Sequence, residues 1–237
     1  MNELNENDDN INEELIKEYT EPVILDNVVL EKYFKFEDIQ LANKNKKKLK
    51  ITDKGLYSIS KHFDAEWITN TILHFFKNKN LENIHKMEII DGTAGIGGNT
   101  INFAKHFSKV YAIEINKVHY EVLKNNLEAL MINNVKIFLD NFLNIDTIPN
   151  LKHKSNVFFL DPPWGGKSYK NYTFFNLKVG KLPIYSIINI LHDKSFKYVI
   201  LKAPYNLNIS PIFANIRYEN MSIHSNSRKN MILIFFY

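Results

Sequence analysis

Residues 87–160 alternate short apolar runs with longer amphipathic segments, and this alternation limits the available folds more than any other feature. The apolar runs predict strands, and the helical spacing of apolar side chains between them predicts helices. A chain that repeats strand and helix in this way builds a parallel sheet with helices on both faces. The predicted strands are Met87–Ile90, Val110–Ile115, Val135–Leu139 and Val157–Leu160, and the predicted helices are Asn99–Phe107 and His119–Met131.

The flanking sequence extends this pattern in both directions. Before it, apolar side chains at helical spacing predict a helix over Asp64–Phe76. After it, Gly166–Lys181 is predicted to be a long loop, rich in polar and aromatic residues. The elements predicted beyond that loop are a helix at Ile184–Leu191, a strand at Tyr198–Leu201, a short helix at Ser210–Asn215 and an antiparallel hairpin of Ile216–Ile223 with Met231–Tyr237.

Length and composition exclude several classes of protein. The 237 residues suffice for one domain with a sizeable core and an extension. Cysteine is absent, which excludes disulfides, thiolate zinc sites, iron–sulfur clusters and cysteine nucleophiles. No apolar run approaches about 18 residues, and the amino terminus lacks the apolar core of a signal peptide. We therefore expect a soluble, intracellular protein without membrane contact, and a monomer by default.

Charge separates an acidic amino-terminal tail from a basic remainder. Residues 1–21 carry eight acidic side chains and one lysine, so we predict a disordered tail, either solvated or a mimic of a polyanion in a basic groove. The remainder has 29 basic and 18 acidic residues, or +11, which suggests a polyanionic partner. Residues 22–60 are predicted to be an accessory segment with short helices before Lys50, and residues 61–237 the main domain.

The accessory segment contains a basic run at residues 44–50, which reads KNKKKLK. This run is interpreted either as a solvated loop or as a contact for nucleic-acid phosphates. The next ten residues, 51–60, are predicted to form a turn and a short strand that ends in hydroxyl residues.

A glycine-rich loop, DGTAGIGGNT at residues 91–100, separates the first predicted strand of the alternation from its helix. It is neither a P-loop nor a Gly-x-Gly-x-x-Gly dinucleotide loop. Asp91 before the first glycine suits a methionine-type ammonium, and Glu114 at the end of the next strand suits ribose hydroxyls. Asp140 and Asn141, after the third strand, are candidates to read an adenine amine. Together these features favour S-adenosylmethionine as cofactor; the alternative is that the glycines only form a turn.

The second motif is Asp161-Pro162-Pro163-Trp164-Gly165-Gly166, directly after a buried strand. Because proline fixes φ, the carbonyls of Asp161 and Pro162 and the Asp161 carboxylate can converge on one exocyclic amine. Trp164 offers a face on which a planar ring can stack. The motif therefore predicts transfer to an amine on a base; the alternative is a plain turn with Trp164 in the core.

The motifs DGTAGIGGNT, AIEIN and FLDPPWGG, in this order, resemble those of the trimethylguanosine synthase family, the RNA cap guanine-N2 methyltransferases. The resemblance extends from about Tyr33 to the carboxyl terminus. It implies an α/β, Rossmann-like class I methyltransferase fold with a mostly parallel seven-stranded sheet, a carboxyl-terminal antiparallel hairpin and a small amino-terminal helical extension. It also implies methyl transfer from S-adenosylmethionine, without a metal, to the N2 amine of a 7-methylguanosine RNA cap, giving 2,7-dimethyl- or 2,2,7-trimethylguanosine.

The resemblance assigns roles to individual residues. It implies that Trp164 stacks on the methylated base and that Asn206 lies near the substrate. The implied catalytic residues are Asp161, Pro162, Pro163 and Trp164. The implied cofactor-binding residues are Ser58, Ser60, Asp91, Thr93, Ala94, Gly95, Gly97, Asn99, Thr100, Glu114, Ile115, Asp140, Asn141 and Asp161. The implied substrate-binding residues are Phe34, Trp164, Lys202, Tyr205 and Asn206.

Three positions depart from the family pattern. Asp161 stands where several members have serine, and Asn141 replaces an expected acid. Tyr205 stands where arginine is common, which moves the expected triphosphate contact to Lys202 or the lysine run. Two rival functions therefore stay open: an amino-methyltransferase that acts on adenine, cytosine or unmethylated guanine, and a cap-binding module without activity. The number of methyl groups added per guanine also stays open.

Overall fold

A computed structural model describes residues 22–23, 27–81, 83–148, 151, 155 and 157–237; the predicted acidic tail, residues 1–21, lies outside them. The first elements are β1 (Pro22–Val23), α1 (Asn27–Leu30), α2 (Phe36–Lys44), β2 (Ile51–Thr52), α3 (Gly55–Ser58) and α4 (His62–Asn78). There follow β3 (Glu88–Asp91), α5 (Gly98–Ala104), β4 (Lys109–Glu114), α6 (Lys117–Ala129), β5 (Val135–Leu139) and β6 (Val157–Leu160). The last elements are β7 (Lys178–Val179), β8 (Leu182–Pro183), α7 (Ile184–Asp193), β9 (Tyr198–Pro204), α8 (Ser210–Asn215), β10 (Met221–Asn226) and β11 (Met231–Phe236).

Seven strands form one sheet in the order β10-β11-β9-β6-β3-β4-β5. Strands β3, β4, β5, β6 and β9 run parallel, whereas β11 is antiparallel to both β9 and β10. The fold is therefore Rossmann-like, with a mostly parallel sheet that ends in an antiparallel hairpin. The predicted fold class is confirmed.

Helices cover both faces of the sheet, so its central strands are buried. All residues of β6, β9 and β11 are buried, while the edge strand β5 is only partly so. Side chains of β6 alternate between the two faces, as the geometry of a strand requires. Phe158 packs with Ile187 of α7, and Phe159 packs with Ile72 of α4. Within the described residues, no helix has the length and apolarity needed to cross a membrane.

The accessory segment packs against the loop after β3 and against α6. Leu30, Phe34 and Ile39 share an apolar cluster with Ile96 of that loop and Leu123 of α6. Strand β1 pairs antiparallel with β2, which follows the lysine run. The segment therefore covers the glycine-rich loop from one side.

A buried amide on α6 ties this segment to the glycine-rich loop. Asn126 Oδ1 accepts a hydrogen bond from the backbone N–H of Lys50 at 2.9 Å, and Asn126 Nδ2 donates to the Lys50 carbonyl at 3.0 Å. The same Nδ2 donates to the carbonyl of Ile96 at 3.2 Å. One side chain thus provides hydrogen-bond partners for backbone groups of two chain segments that do not pair as β-strands.

Three sequence predictions need correction. Residues 51–60 form a strand followed by a helical turn, rather than a turn followed by a strand, because the Thr52 hydroxyl accepts from the Gly55 N–H and begins α3. The loop 166–181 contains a 3₁₀ helix, Gly166–Asn171, and the short strand β7. The hairpin begins at Met221 rather than Ile216.

The late start of the hairpin has a physical cause in the contacts of residues 217 and 218. The Arg217 backbone N–H donates to the side chain of Asn189, and the Tyr218 hydroxyl donates to the Phe196 carbonyl. These groups are bound to α7 and to the turn that follows it. They hold this part of the chain away from the edge of the sheet.

Candidate active site

The predicted site residues that follow β3, β4 and β6 meet at one edge of the sheet. This edge is formed by the carboxyl ends of the parallel strands, where open α/β sheets bind ligands. Asp91 ends β3, Glu114 ends β4 and Asp161 follows β6. Lys202 lies near the end of the neighbouring strand β9.

Three donors from separate parts of the chain hold the Asp161 carboxylate. Its Oδ2 accepts from Ser60 Oγ at 3.1 Å, from Asn99 Nδ2 at 3.0 Å and from Lys202 Nζ at 2.7 Å. The Asp161 backbone N–H donates to Thr93 Oγ1 at 2.7 Å. No residue that the structure describes donates to Oδ1. The carboxylate is therefore fixed through one oxygen, while the other can accept from a ligand.

The ammonium of Lys202 is enclosed by this cluster. The residue is 6% exposed, and its Nζ donates to Ser60 Oγ at 2.9 Å as well as to Asp161. Nζ also lies 5.2 Å from the centroid of the Trp164 ring. The structure therefore places Lys202 against Asp161 in the interior, whereas the sequence suggested a contact with the cap triphosphate.

The other candidate for that contact, the lysine run, lies along α6. Lys47 pairs with Glu128 of α6, and Asn125 Nδ2 donates to the Lys48 carbonyl at 2.9 Å. This part of the accessory segment is therefore held by contacts within the protein.

Asp91 is fully buried at the end of β3. Its Oδ2 accepts from Thr100 Oγ1 at 2.7 Å, and its Oδ1 accepts from the Thr93 backbone N–H at 3.3 Å. Burial raises the pKa of Asp91 to about 7, although these two hydrogen bonds act in the opposite direction. The carboxyl group is thus held in a low-dielectric site where a cationic ligand would gain most from its charge.

Glu114 is also buried, and backbone donors bind both of its carboxyl oxygens. Oε2 accepts from the Gly95 N–H at 2.7 Å, and Oε1 accepts from the Asn116 N–H at 2.8 Å. Burial raises the pKa of Glu114 to about 7, against the effect of these bonds. Glu114 therefore links the glycine-rich loop to the end of β4.

The glycine-rich loop leaves open space at its centre. Gly95 has a φ of 56°, and no atom lies within 4 Å of the position that a Cβ would occupy. Gly98 packs in the opposite way, because a Cβ there would lie 2.5 Å from the Ser60 carbonyl oxygen. The loop thus contacts the accessory segment on one side and is open above Gly95.

Trp164 lies beside the Asp161 cluster and is partly buried. Its ring makes an edge contact with Tyr169, with centroids 5.2 Å apart and planes at 86°. Its Nε1 is buried and has no hydrogen-bond partner among the described residues. The Lys202 ammonium and the Tyr169 ring therefore both lie next to the indole.

Asn206 holds the loop that carries Tyr169. Its Nδ2 donates to the carbonyl of Tyr169 at 2.9 Å and to that of Tyr172 at 2.7 Å. The structure therefore shows Asn206 as a tether of residues 166–172, close to Trp164.

Several predicted site residues lie away from the Asp161 cluster or make other contacts. Phe34 is buried in the apolar cluster of the accessory segment, and Ser58 is exposed with its hydroxyl bonded to the Lys54 carbonyl. Asn141 Oδ1 caps the 3₁₀ turn that follows β5, and Asp140 Oδ1 accepts from the Asn141 N–H. Ile115 and Tyr205 are exposed, at 51% and 60%.

A comparison with protein families identifies the family of the chain. The family model of the RNA cap guanine-N2 methyltransferases matches residues 86–236, more than half of the chain. The chain belongs to the RNA cap guanine-N2 methyltransferase family. The resemblance drawn from the three sequence motifs is thereby confirmed, and the chain is an S-adenosylmethionine-dependent methyltransferase.

The chain is similar to several proteins of known sequence or structure. An uncharacterized protein of Acanthamoeba polyphaga mimivirus is 32% identical over 191 residues, which is 72% of each chain. The trimethylguanosine synthase of Schizosaccharomyces pombe is 38% identical over 92 residues, which is 38% of each chain. The 16S rRNA guanine-N2 methyltransferase RsmC of Thermus thermophilus, solved with AdoMet and guanosine, has a TM-score of 0.51 at 14% identity. That match covers 70% of this chain and 41% of RsmC, and it shows the likeness of the folds.

The residues present fit the cofactor that the family implies. S-adenosylmethionine has a cationic methionine end and a ribose, and the cluster offers buried carboxyl groups at Asp91 and Glu114. The loop leaves open space above Gly95, and the Gly95 N–H donates to Glu114. Asn99 Oδ1 is buried and has no partner among the described residues. These are the features of a polar cleft for a cationic nucleoside.

Sequence reasoning missed two parts of this site. It did not predict the ion pair of Lys202 with Asp161, although a lysine within the apolar strand YVILKAP was a signal that a buried partner was required. It also missed His119, whose Nε2 lies 3.2 Å from Thr52 Oγ1 and whose Nδ1 lies 3.9 Å from Glu114 Oε1. Burial lowers the pKa of His119 to about 4, and no sequence signal marked this residue.

Proposed function

We propose that the chain methylates the exocyclic N2 amine of a 7-methylguanosine RNA cap, with S-adenosylmethionine as methyl donor. The product is 2,7-dimethylguanosine, 2,2,7-trimethylguanosine or both. The observation that carries the proposal is the pairing of a fixed acceptor, Asp161, with a partly buried indole, Trp164, on one short motif of a family member.

The acceptor atoms around Asp161 suit an NH₂ group on a planar base. Asp161 Oδ1 is available, and neither the Asp161 nor the Pro162 carbonyl accepts a backbone hydrogen bond from the described residues. An aromatic amine has two N–H donors in the plane of its ring, so two of these oxygens would fix its direction. Orientation of this kind can supply about 7–11 kcal/mol of a reaction barrier.

When bound, S-adenosylmethionine supplies an electrophilic methyl group. Asp91 would bind the ammonium of its methionine part and Glu114 its ribose hydroxyls, near the open space above Gly95, whose N–H donates to Glu114. The chain would orient the base so that the lone pair of N2 bonds to that methyl carbon while the carbon–sulfur bond breaks and its electron pair stays on sulfur. N2 then carries an extra proton, which Asp161 or solvent accepts.

Trp164 would favour binding of a 7-methylated guanine over an unmodified one. N7 methylation makes guanine cationic, and indole is the best neutral side chain for contact with a cation, worth about 0.5–2 kcal/mol. Tyr169 and the Lys202 ammonium contact the indole and help to fix its position. This supports a methylguanosine cap as substrate over unmodified guanine.

The test identifies the methylated atom. The protein is incubated with m7GTP and S-adenosylmethionine, the product is converted to nucleoside, and its mass and retention are compared with 2,7-dimethyl- and 2,2,7-trimethylguanosine. We expect methyl groups on N2 alone. Methylation of adenine or cytosine in control oligonucleotides, with none on m7GTP, would instead support the rival amino-methyltransferase function. Cofactor binding without transfer to any of these would support the binding module.

A further inference from the structure

A series of aromatic rings leads from Trp164 to the surface. Trp164 contacts Tyr169 at 5.2 Å between centroids, Tyr169 is 6.0 Å from Phe175, and Phe175 is 6.3 Å from Tyr172. The first three rings are partly buried, whereas Tyr172 is 57% exposed and the adjacent Phe174 is 69% exposed. Large aromatic side chains with this exposure have no role in the packing of the core.

Backbone hydrogen bonds hold these rings next to the end of β9. The Phe175 N–H donates to the Asn206 carbonyl at 2.8 Å, and the Asn208 N–H donates to the Phe175 carbonyl at 2.8 Å. Asn206 Nδ2 in turn binds the Tyr172 carbonyl. We name the exposed side chains of Tyr172 and Phe174 the aromatic platform.

The loop that carries the platform is basic. Residues 165–182 contain four lysines and no acidic residue. The Lys170 ammonium lies 6.0 Å from the Tyr169 ring, within the same loop. Exposed aromatic rings interspersed with lysines are the combination that binds single-stranded nucleic acid, because the rings stack with bases and the lysines neutralise phosphates. An apolar protein partner would account for the rings but would leave the lysines without a role.

We infer that the aromatic platform binds the first nucleotides of the RNA chain that follow the cap. The inference rests on the proposed function, which places the cap base against Trp164 at the inner end of the ring series. The RNA then leaves the site over Tyr172 and Phe174, with its bases stacked on their rings and its phosphates near the lysines of residues 165–182. Capped RNA is in that case a better substrate than the free cap nucleotide.

The experiment compares two substrates with the wild type and two variants. The substrates are m7GTP and a single-stranded RNA of about ten nucleotides with a 7-methylguanosine cap. The variants are the double substitution Tyr172→Ala with Phe174→Ala, and Phe213→Ala as a control. Phe213 is 73% exposed on α8, so it matches Phe174 in residue type and exposure but lies outside the platform.

We expect the wild type to have a lower KM for the capped RNA than for m7GTP. The double variant should raise the KM for capped RNA by about tenfold or more, as loss of base stacking predicts, and should leave m7GTP within about twofold. Phe213→Ala should change neither value. Equal effects of the double variant on both substrates, or no effect on capped RNA, would overturn the inference.

A binding measurement separates this inference from the proposed function. The Kd of the same capped RNA is measured by fluorescence anisotropy for the wild type and the double variant. If the wild type transfers no methyl group but the double variant weakens RNA binding by about tenfold, RNA binding by the platform is supported and the proposed function is refuted. If the wild type methylates m7GTP and the two Kd values are equal, the proposed function is supported and RNA binding by the platform is refuted.

Discussion

At the scale of single residues, the site depends on how one carboxylate is held. The Asp161 carboxylate pairs with the buried Lys202 ammonium at 2.7 Å. A buried charge without a partner is costly, so each residue of the pair requires the other. Lys202 thus acts through Asp161 in the account proposed above, as a positioning residue rather than as a phosphate ligand.

Replacement of Lys202 by methionine tests this role. Lys202→Met should release Asp161 Oδ2 from one of its three donors and lower kcat by about tenfold to a hundredfold, because the acceptor then loses its direction. The loss should be the same for m7GTP and for the nucleoside 7-methylguanosine, which has no phosphates. A defect seen in KM for m7GTP but not for the nucleoside would instead show a phosphate contact. Lys170→Met, an exposed lysine of the adjacent loop, is the matched control.

Replacement of Trp164 tests the recognition of the charged base. Trp164→Ala should raise the KM for m7GTP by about tenfold, since it removes the cation–π contact and the stacked surface. The KM for S-adenosylmethionine should change little, because Asp91 and Glu114 are left in place. Steady-state kinetics with each substrate varied in turn provides the measurement. An unchanged KM for m7GTP would refute stacking on the indole.

The raised pKa values of Asp91 and Glu114 predict opposite effects of pH on stability and on binding. Both pKa values are about 7 in the folded chain, above the ordinary carboxyl range, so the folded state binds protons more readily than the unfolded state. The free energy of unfolding without cofactor should fall as pH rises from about 4 to 7. Affinity for the cationic cofactor should instead rise through about pH 7, as the carboxylates ionise.

The variant Asp91→Asn isolates one of these two groups. Thermal unfolding and isothermal titration with S-adenosylmethionine, each from pH 5.5 to 8.5, should give flatter profiles for this variant than for the wild type. Parallel profiles for the two proteins would show that Asp91 does not titrate in this range.

At the scale of secondary-structure elements, the strands of the sheet were the most predictable part. The runs Val135–Leu139 and Val157–Leu160 are strands with the predicted limits. Val157–Leu160 is a continuous apolar run, as a buried parallel strand requires. The helical turn α3 was not predictable in this way. It depends on a local hydrogen bond from the Gly55 N–H to the Thr52 hydroxyl and on the close approach of Gly55 to Ile96, which is a tertiary contact.

The attachment of the accessory segment to the core gives a prediction about stability. Asn126→Ala should lower the free energy of unfolding by about 2–4 kcal/mol, because buried backbone groups of Lys50 and Ile96 lose their partners. Lys124→Ala, an exposed position on the same helix, should change it by no more than about 0.5 kcal/mol. Urea denaturation of both variants measures the difference. An Asn126→Ala protein as stable as the Lys124→Ala protein would contradict this role of the Asn126 side chain.

At the scale of the whole molecule, the site joins parts of the chain that are far apart in sequence. Ser60, Asn99 and Lys202 all contact one oxygen of Asp161. The glycine-rich loop and the Asp-Pro-Pro-Trp motif were predictable because each is local and has a known chemistry. The partners of Asp161 were not, because they depend on the strand order and on the packing of the accessory segment. The division at residue 60 into accessory segment and main domain stays a prediction.

The central claim is that this methyltransferase acts on a cap guanine that already carries a methyl group on N7. The most direct test is radiolabelled methyl transfer from S-adenosylmethionine to m7GTP and to GTP, side by side, with kcat/KM for each. The account predicts transfer to m7GTP with kcat/KM higher by about tenfold or more, in keeping with a cation on the indole face. Equal values for the two nucleotides, or a preference for GTP, would contradict it.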